Sequence, residues 1–110
     1  METSDALTAF AALSQEMRLR ALRLLIEAGP EGMAAGDIAR ALDARQNTLS
    51  TNLSILVQAG LIQNTRHGRV IRYSVNWAGM RGIITYLMQD CCGGNPDQCR
   101  PLLNSLPDPT

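Results

Sequence analysis

Gly36-Asp-Ile-Ala-Arg-Ala-Leu42, Asp43-Ala-Arg45 and Gln46-Asn-Thr-Leu-Ser-Thr-Asn-Leu-Ser-Ile-Leu56 follow one another without a break, and this stretch decides the fold. From Ala34 onward, Ile38, Ala41 and Leu42 recur at helical spacing and predict a brief helix. Asp43 to Arg45 supplies a turn. A second helix is expected from about Gln46 to Ala59, with Leu49, Leu53, Leu56 and Val57 along one side and Gly60 where a helix-ending glycine usually sits. The other side of that helix is polar but uncharged, carrying Asn47, Thr48, Thr51 and Ser54. Two short helices joined by a three-residue turn, the second polar on its outer face, form the pattern of a helix-turn-helix.

The flanking segments complete the layout. Leu61 to Val75 is rich in β-branched residues around His67-Gly68, and Ile71, Tyr73 and Val75 alternate with Val70, Arg72 and Ser74, which predicts a hairpin directly after the second helix. Upstream, Leu7, Phe10 and Leu13 at three-residue spacing predict a first helix from Ser4 to Leu13. Ser14 is the expected N-cap of the next helix, Glu16 suits its first turn, and Leu19, Leu22, Leu25 and Ile26 form its apolar stripe until Gly29-Pro30 stops it. Downstream, Asn76 can cap a last helix in which Trp77, Met80, Ile83, Ile84 and Leu87 make an apolar stripe ending near Asp90. The expected architecture is mainly α with a β-hairpin wing: a dimeric winged helix-turn-helix over residues 1–90, followed by a cysteine-containing tail over 91–110.

Composition fits this layout. At 110 residues the chain has room for one modest core, and an aromatic share of 4% leaves aliphatic side chains to build it. All ten basic residues are arginine, and net charge is zero, but five of the arginines lie between Gly36 and Ser74 against only Asp37 and Asp43. The middle of the chain is therefore its electropositive part. No basic start is followed by an apolar stretch, and no run is long enough to span a bilayer, so a cytoplasmic protein with reduced thiols and no membrane partner is expected.

A helix fits the major groove, and the short amides and hydroxyls of Gln46, Asn47, Thr48, Ser50 and Thr51 lie near its first turns, where they can reach base edges; Ser50 lies toward the side. Arg45, Arg66, Arg69 and Arg72 would hold phosphates or enter a minor groove, with Gly68 letting the ribbon turn tightly against the DNA backbone. His67, the only histidine, falls at the wing tip, where it would meet a phosphate or solvent. A second copy of the chain is also expected. The apolar stripes of the first and last helices exceed what a small core covers, and Gly79 and Gly82 would allow close helix approach between copies, unless Trp77 and Met80 pack only within their own subunit.

Over nearly its full length the chain resembles the ArsR/SmtB family of winged-helix metalloregulatory repressors. The matching blocks are Met17-Arg-Leu-Arg-Ala-Leu-Arg-Leu-Leu25, Gly36 to Leu42, Gln46 to Leu56, Ala59-Gly-Leu-Ile62 and Arg66-His-Gly-Arg-Val-Ile-Arg-Tyr-Ser74. The resemblance implies a homodimer that covers operator DNA and leaves it when an inducer binds. The chain departs from the family at Thr51 and Asn52, where many members carry a basic residue or histidine, and this departure implies a different operator.

Cys91, Cys92 and Cys99 are the only cysteines, all within nine residues beyond the last helix. Three soft donors gathered in a sequence expected to be cytosolic point to a thiophilic ion and not to a structural disulfide. The family's familiar metal sites use paired cysteines on the third helix or His and carboxylates on the last; here Glu31 to Asp37 has no cysteine, and Trp77 to Met88 has no His, Asp, Glu or Cys. The Cys-Cys-Gly-Gly…Cys run resembles a variant of the arsenic-responsive repressors that holds trivalent arsenic by three C-terminal thiolates. The chemistry agrees. Zn²⁺ prefers four ligands, which only Asp90, Asp97 or water could complete, whereas As(III) or Sb(III) needs three thiolates around a lone pair. Adjacent cysteines on a regular helix point about 100° apart, so the chain must leave helical geometry, which Gly93, Gly94 and Pro96 permit. Closing this loop at the end of the last helix would shift how two such helices pack. Emptying the operator needs about 5 kcal/mol of differential affinity.

Besides inert free thiols in a loose tail, two rivals stay open on sequence alone. A thiol switch, pairing Cys91 or Cys92 with Cys99 on oxidation or reacting with a sulfur species, would need only two cysteines. A winged helix that binds protein and never touches DNA is the other. Catalysis is not expected: the Cys-x5-Arg cradle of small thiol-dependent reductases and phosphatases is absent, since residue 97 is Asp, residue 98 is Gln, and Arg100 directly follows Cys99.

Overall fold

The computed structural model describes residues 1–88. In chain order it contains α1 (Thr3–Leu13), α2 (Glu16–Ala28), β1 (Met33–Ala34), α3 (Ala35–Leu42), α4 (Gln46–Gln58), β2 (Ile62–His67), β3 (Val70–Val75) and α5 (Trp77–Met88). The three strands form one antiparallel sheet in the order β1-β3-β2. The two-residue strand β1 was not legible in sequence, being too short to show alternation. It exists because Met33 and Ala34 pair with Tyr73 and Arg72 across the free edge of β3.

The core is aliphatic, as the composition requires. Leu22 and Leu25 of α2, Ile38 and Leu42 of α3, and Leu49, Leu53 and Leu56 of α4 meet Leu61, Ile62, Tyr73 and Val75 from the sheet side. The helix-turn-helix is closed by Asp43, which caps α3 in the left-handed region at φ 51°, so that the Ala44 N–H reaches back to the Ala39 carbonyl at 2.9 Å. Aspartate tolerates that conformation better than most side chains.

Two expectations are corrected at the N-terminal half. Gln15, not Ser14, caps α2: its side-chain oxygen accepts from the Arg18 N–H at 2.9 Å, while the Ser14 hydroxyl donates backward to the Ala11 carbonyl and finishes α1. The buried side of α1 is its alanine face, Ala6, Ala9 and Ala12, and Leu7 and Phe10 stay exposed, in keeping with a first-helix stripe that exceeds what the core covers. Small residues let α1 lie close to its neighbours. Leu19 and Ile26 of the expected α2 stripe are exposed as well.

The last helix is only partly covered. Ile83 is its one buried residue, Trp77 and Met80 pack against the core from its edge, and Leu87 is exposed. Gly79 has a role other than the one expected, within its own subunit. A Cβ at this position would sit 1.9 Å from the Gly60 carbonyl oxygen, so the first turn of α5 lies directly on the end of α4. Asn76 completes the joint, its Nδ2 donating to the same carbonyl at 3.0 Å and its Oδ1 accepting from the Gly79 N–H at 3.3 Å. Gly82 instead faces the flexible end of the Met1 side chain.

Candidate nucleic-acid interface

The surface that could meet DNA is assembled from the start of α4 and the β2–β3 hairpin. Burial of Leu49, Leu53 and Leu56 fixes which way α4 faces, and the opposite side, with Arg45, Gln46, Asn47, Thr48, Ser50 and Thr51, is exposed. The first turn is held locally: the Asn47 Oδ1 accepts from the Thr48 N–H at 2.8 Å, and the Thr51 hydroxyl donates to the Asn47 carbonyl at 3.2 Å. Those bonds restrict the side chains without burying them. A base edge would meet partly ordered donors and acceptors.

The wing is a hairpin whose register pairs Ile62 with Val75 and His67 with Val70, leaving Gly68 and Arg69 as the two-residue turn. Gly68 takes φ 65° at the first turn position, as a type II′ turn requires. Beyond Ile62 all of β2 is exposed, so Arg66, His67, Gly68 and Arg69 project from the body. The Thr65 hydroxyl lies 3.3 Å from the His67 Nε2. Between wing and helix runs an open groove of about 400 Å³, lined by Gly36, Gln46 and Ser50 on one side and by Arg69, Val70 and Ile71 on the other. Gln46 and Ser50 thus face the wing, in keeping with the sideways position expected for Ser50. Arg40, ion-paired with Asp37, also lines this groove and was not singled out from the sequence; its only linear signal is a basic residue on the helix before the turn.

Arg72 is placed differently from the other three arginines. Its guanidinium donates to the Glu31 carbonyl from Nε at 3.3 Å and to the Glu31 and Gly32 carbonyls from Nη2 at 3.1 Å each. It straps β3 to the turn before β1. Nothing in the linear pattern marks this, because its acceptors are backbone oxygens about forty positions away.

Among the described residues no group of three His, Cys, Asp or Glu side chains could hold a metal, and no helix is long and apolar enough to cross a membrane. Cys91, Cys92 and Cys99 lie outside the described residues.

A helix-turn-helix with a basic wing beside its exposed second helix defines a winged-helix DNA-binding regulator. Residues 13–63 match a helix-turn-helix domain family. The chain is 34% identical over 88 residues to the transcriptional repressor SdpR of Bacillus subtilis, spanning 80% of this chain and 94% of that one. Among solved structures, it is similar to an ArsR-like transcriptional regulator from Rhodococcus sp. RHA1, with TM-score 0.66, 26% identity, and 92% and 91% of the two chains covered. The homodimeric winged helix-turn-helix DNA-binding domain of Mb0332 from Mycobacterium bovis shares the fold at TM-score 0.64 and 24% identity, over 79% and 81% of the two chains. The chain belongs to the ArsR/SmtB family of winged-helix transcriptional regulators.

Proposed function

We propose that this protein is a repressor that binds operator DNA as a homodimer and releases it when As(III) or Sb(III) is held by Cys91, Cys92 and Cys99. The observation that carries the inducer is the concentration of all three cysteines in nine residues immediately beyond the last helix. Three thiolates match the coordination demand of a trivalent metalloid and fall one ligand short of a closed zinc site. Each As–S bond forms as a thiol sulfur replaces one hydroxide of arsenous acid, As(OH)3, and the thiol proton leaves with that hydroxide as water.

Asn47, Thr48 and Thr51 would read base edges, with Gln46 and Ser50 beside the wing groove, while Arg45, Arg66 and Arg69 neutralise phosphates and His67 and Gly68 bring the wing tip close. Dimerisation would use α1 and α5. Thr3, Leu7 and Phe10 share one face of α1, the Thr3 hydroxyl meets the Tyr86 hydroxyl of α5 at 2.5 Å, and Leu87 beside Tyr86 is exposed. The Mb0332 domain, which shares this fold, is itself homodimeric. The tail follows α5, and the first turn of α5 is locked onto the end of α4 through Asn76, Gly79 and Gly60. A change in how two α5 helices pack is thereby linked to the helix that reads DNA.

The test is a footprint on DNA upstream of the protein's own gene, with and without arsenite. Protection is expected without the ion and loss of protection with it, and Cys91→Ser, Cys92→Ser and Cys99→Ser should each abolish the arsenite response while leaving protection intact. Complexes that persist at saturating arsenite, or an arsenic absorption spectrum with no sulfur neighbours, refute the proposal. An expendable third thiol points instead to a disulfide switch.

A further inference from the structure

Asn52 is the one polar side chain buried among the described residues, and it lies on the helix that faces DNA. Its amide oxygen accepts from the Arg18 Nη1 at 2.9 Å, and its amide nitrogen donates to the Thr48 carbonyl at 3.1 Å and lies 3.2 Å from the Met17 sulfur. Arg18 then reaches a third helix, its Nε donating to the Ala12 carbonyl at 2.6 Å. The chain of bonds therefore runs from α4 through α2 to the last turn of α1. We infer that Asn52 and Arg18 are a positioning pair: they fix the rotation of α4 about its own axis, and with it which side chains reach the bases.

The physical need for such a pair follows from how the rest of α4 is held. Leu49, Leu53 and Leu56 anchor the helix by burial alone, and burial is not directional. Side-chain tips lie roughly 5–6 Å from a helix axis, so a rotation of about 20° displaces them by about 2 Å. Hydrogen bonds to a base edge tolerate only about 0.5 Å in length. Leucine packing sets the rotation by shape and volume, and an aliphatic core tolerates small shifts of that kind more readily than base recognition does. A buried amide with directional partners on two sides selects one rotation, the kind of specification that satisfied interior polar networks supply. The Asn52 side chain also bonds the Thr48 carbonyl, directly behind the exposed Thr48 side chain.

This inference rests on the reading that α4 contacts bases, and the experiment separates the two. A duplex selected by the wild-type protein from a randomised pool is compared with a scrambled duplex of equal length. If the wild-type protein selects no sequence, base reading by α4 is refuted, and the positioning role with it. Given selection, the variant Arg18→Met/Asn52→Leu is measured, since replacing a buried amide and its half-buried partner by apolar side chains of similar volume keeps the packing without leaving an unpaired polar group. The expected result is a melting temperature near wild type and a specific-to-scrambled affinity ratio lowered about tenfold or more, the loss of roughly one base pair of recognition per site. Affinity for the scrambled duplex and its salt dependence should stay unchanged, because Arg45, Arg66 and Arg69 are untouched. A ratio kept within about twofold, or equal loss of both affinities, overturns the inference. Arg18→Lys provides a second variant in case the double substitution prevents folding. A lysine keeps the charge but has no planar fork to bridge Ala12 and Asn52 together, so the ratio should again fall severalfold. An unaltered ratio in a folded Arg18→Lys protein is equally fatal.

Discussion

At the scale of single residues, the tightest constraint is the approach of Gly79 to the Gly60 carbonyl. An added methyl would overlap that oxygen at 1.9 Å, and backbone on both sides leaves little room to yield. Gly79→Ala should therefore destabilise the fold by about 1–3 kcal/mol, as over-packing does, when thermal unfolding is measured at fixed protomer concentration. Gly82→Ala is the control. Its methyl would meet only the Met1 Cε at 3.2 Å, and alanine favours helix over glycine, so this change should be neutral or stabilise by up to about 1 kcal/mol. Equal melting of the two variants would mean that the α4–α5 joint is looser than its geometry implies. Arg72 makes a similar point about reading residues singly: a basic side chain on a wing reads as a phosphate ligand, and the structure also gives it backbone acceptors at Glu31 and Gly32.

In the proposed complex, helix and wing would meet DNA in different ways. Arg66 and Arg69 extend from a ribbon with no core beneath its tip, which suits a sequence-independent grip on phosphates. Replacing either by alanine should weaken binding to selected and scrambled duplexes alike and flatten the plot of log affinity against log salt by about 0.9 for each phosphate no longer neutralised. Weakening confined to the selected duplex would place the arginine on a base instead. Much of this division was legible beforehand. Alternating residues around Gly68 predicted the ribbon, and the apolar period of Leu49, Leu53 and Leu56 predicted the exposed face of α4. The groove between the two elements was not legible, since Gly36 and Ile71 become opposite walls only when α3 and β3 pack.

For the whole molecule, the incompletely covered apolar faces of α1 and α5 are the feature a single chain leaves unresolved. Leu7 is 63% and Leu87 56% exposed, on two helices already joined through Thr3 and Tyr86. Glutamate at both positions, Leu7→Glu/Leu87→Glu, should leave the fold intact and halve the mass found by sedimentation. Operator affinity should drop sharply, because two linked half-sites are replaced by one. A variant that sediments as wild type would place the interface between copies on another surface. The expected first-helix stripe of Leu7, Phe10 and Leu13 is sound as a statement about helical periodicity, yet it does not distinguish a core face from a face kept for a second chain. Alanines took the inner side.

Apart from β1, order and type of the elements follow from the sequence alone, because periodicity, caps and turn residues act over a few positions. The chemistry proposed for the cysteine cluster rests on sequence as well, since softness and number of donors are properties of composition. Tertiary structure decided the partners. Asn52 turns inward to meet Arg18 thirty-four positions away, Gly79 lies on Gly60, and Arg72 straps a strand too short to announce itself. Each of these pairings depends on which helix surfaces meet and at what angle, and a hydrophobic pattern specifies burial without specifying direction.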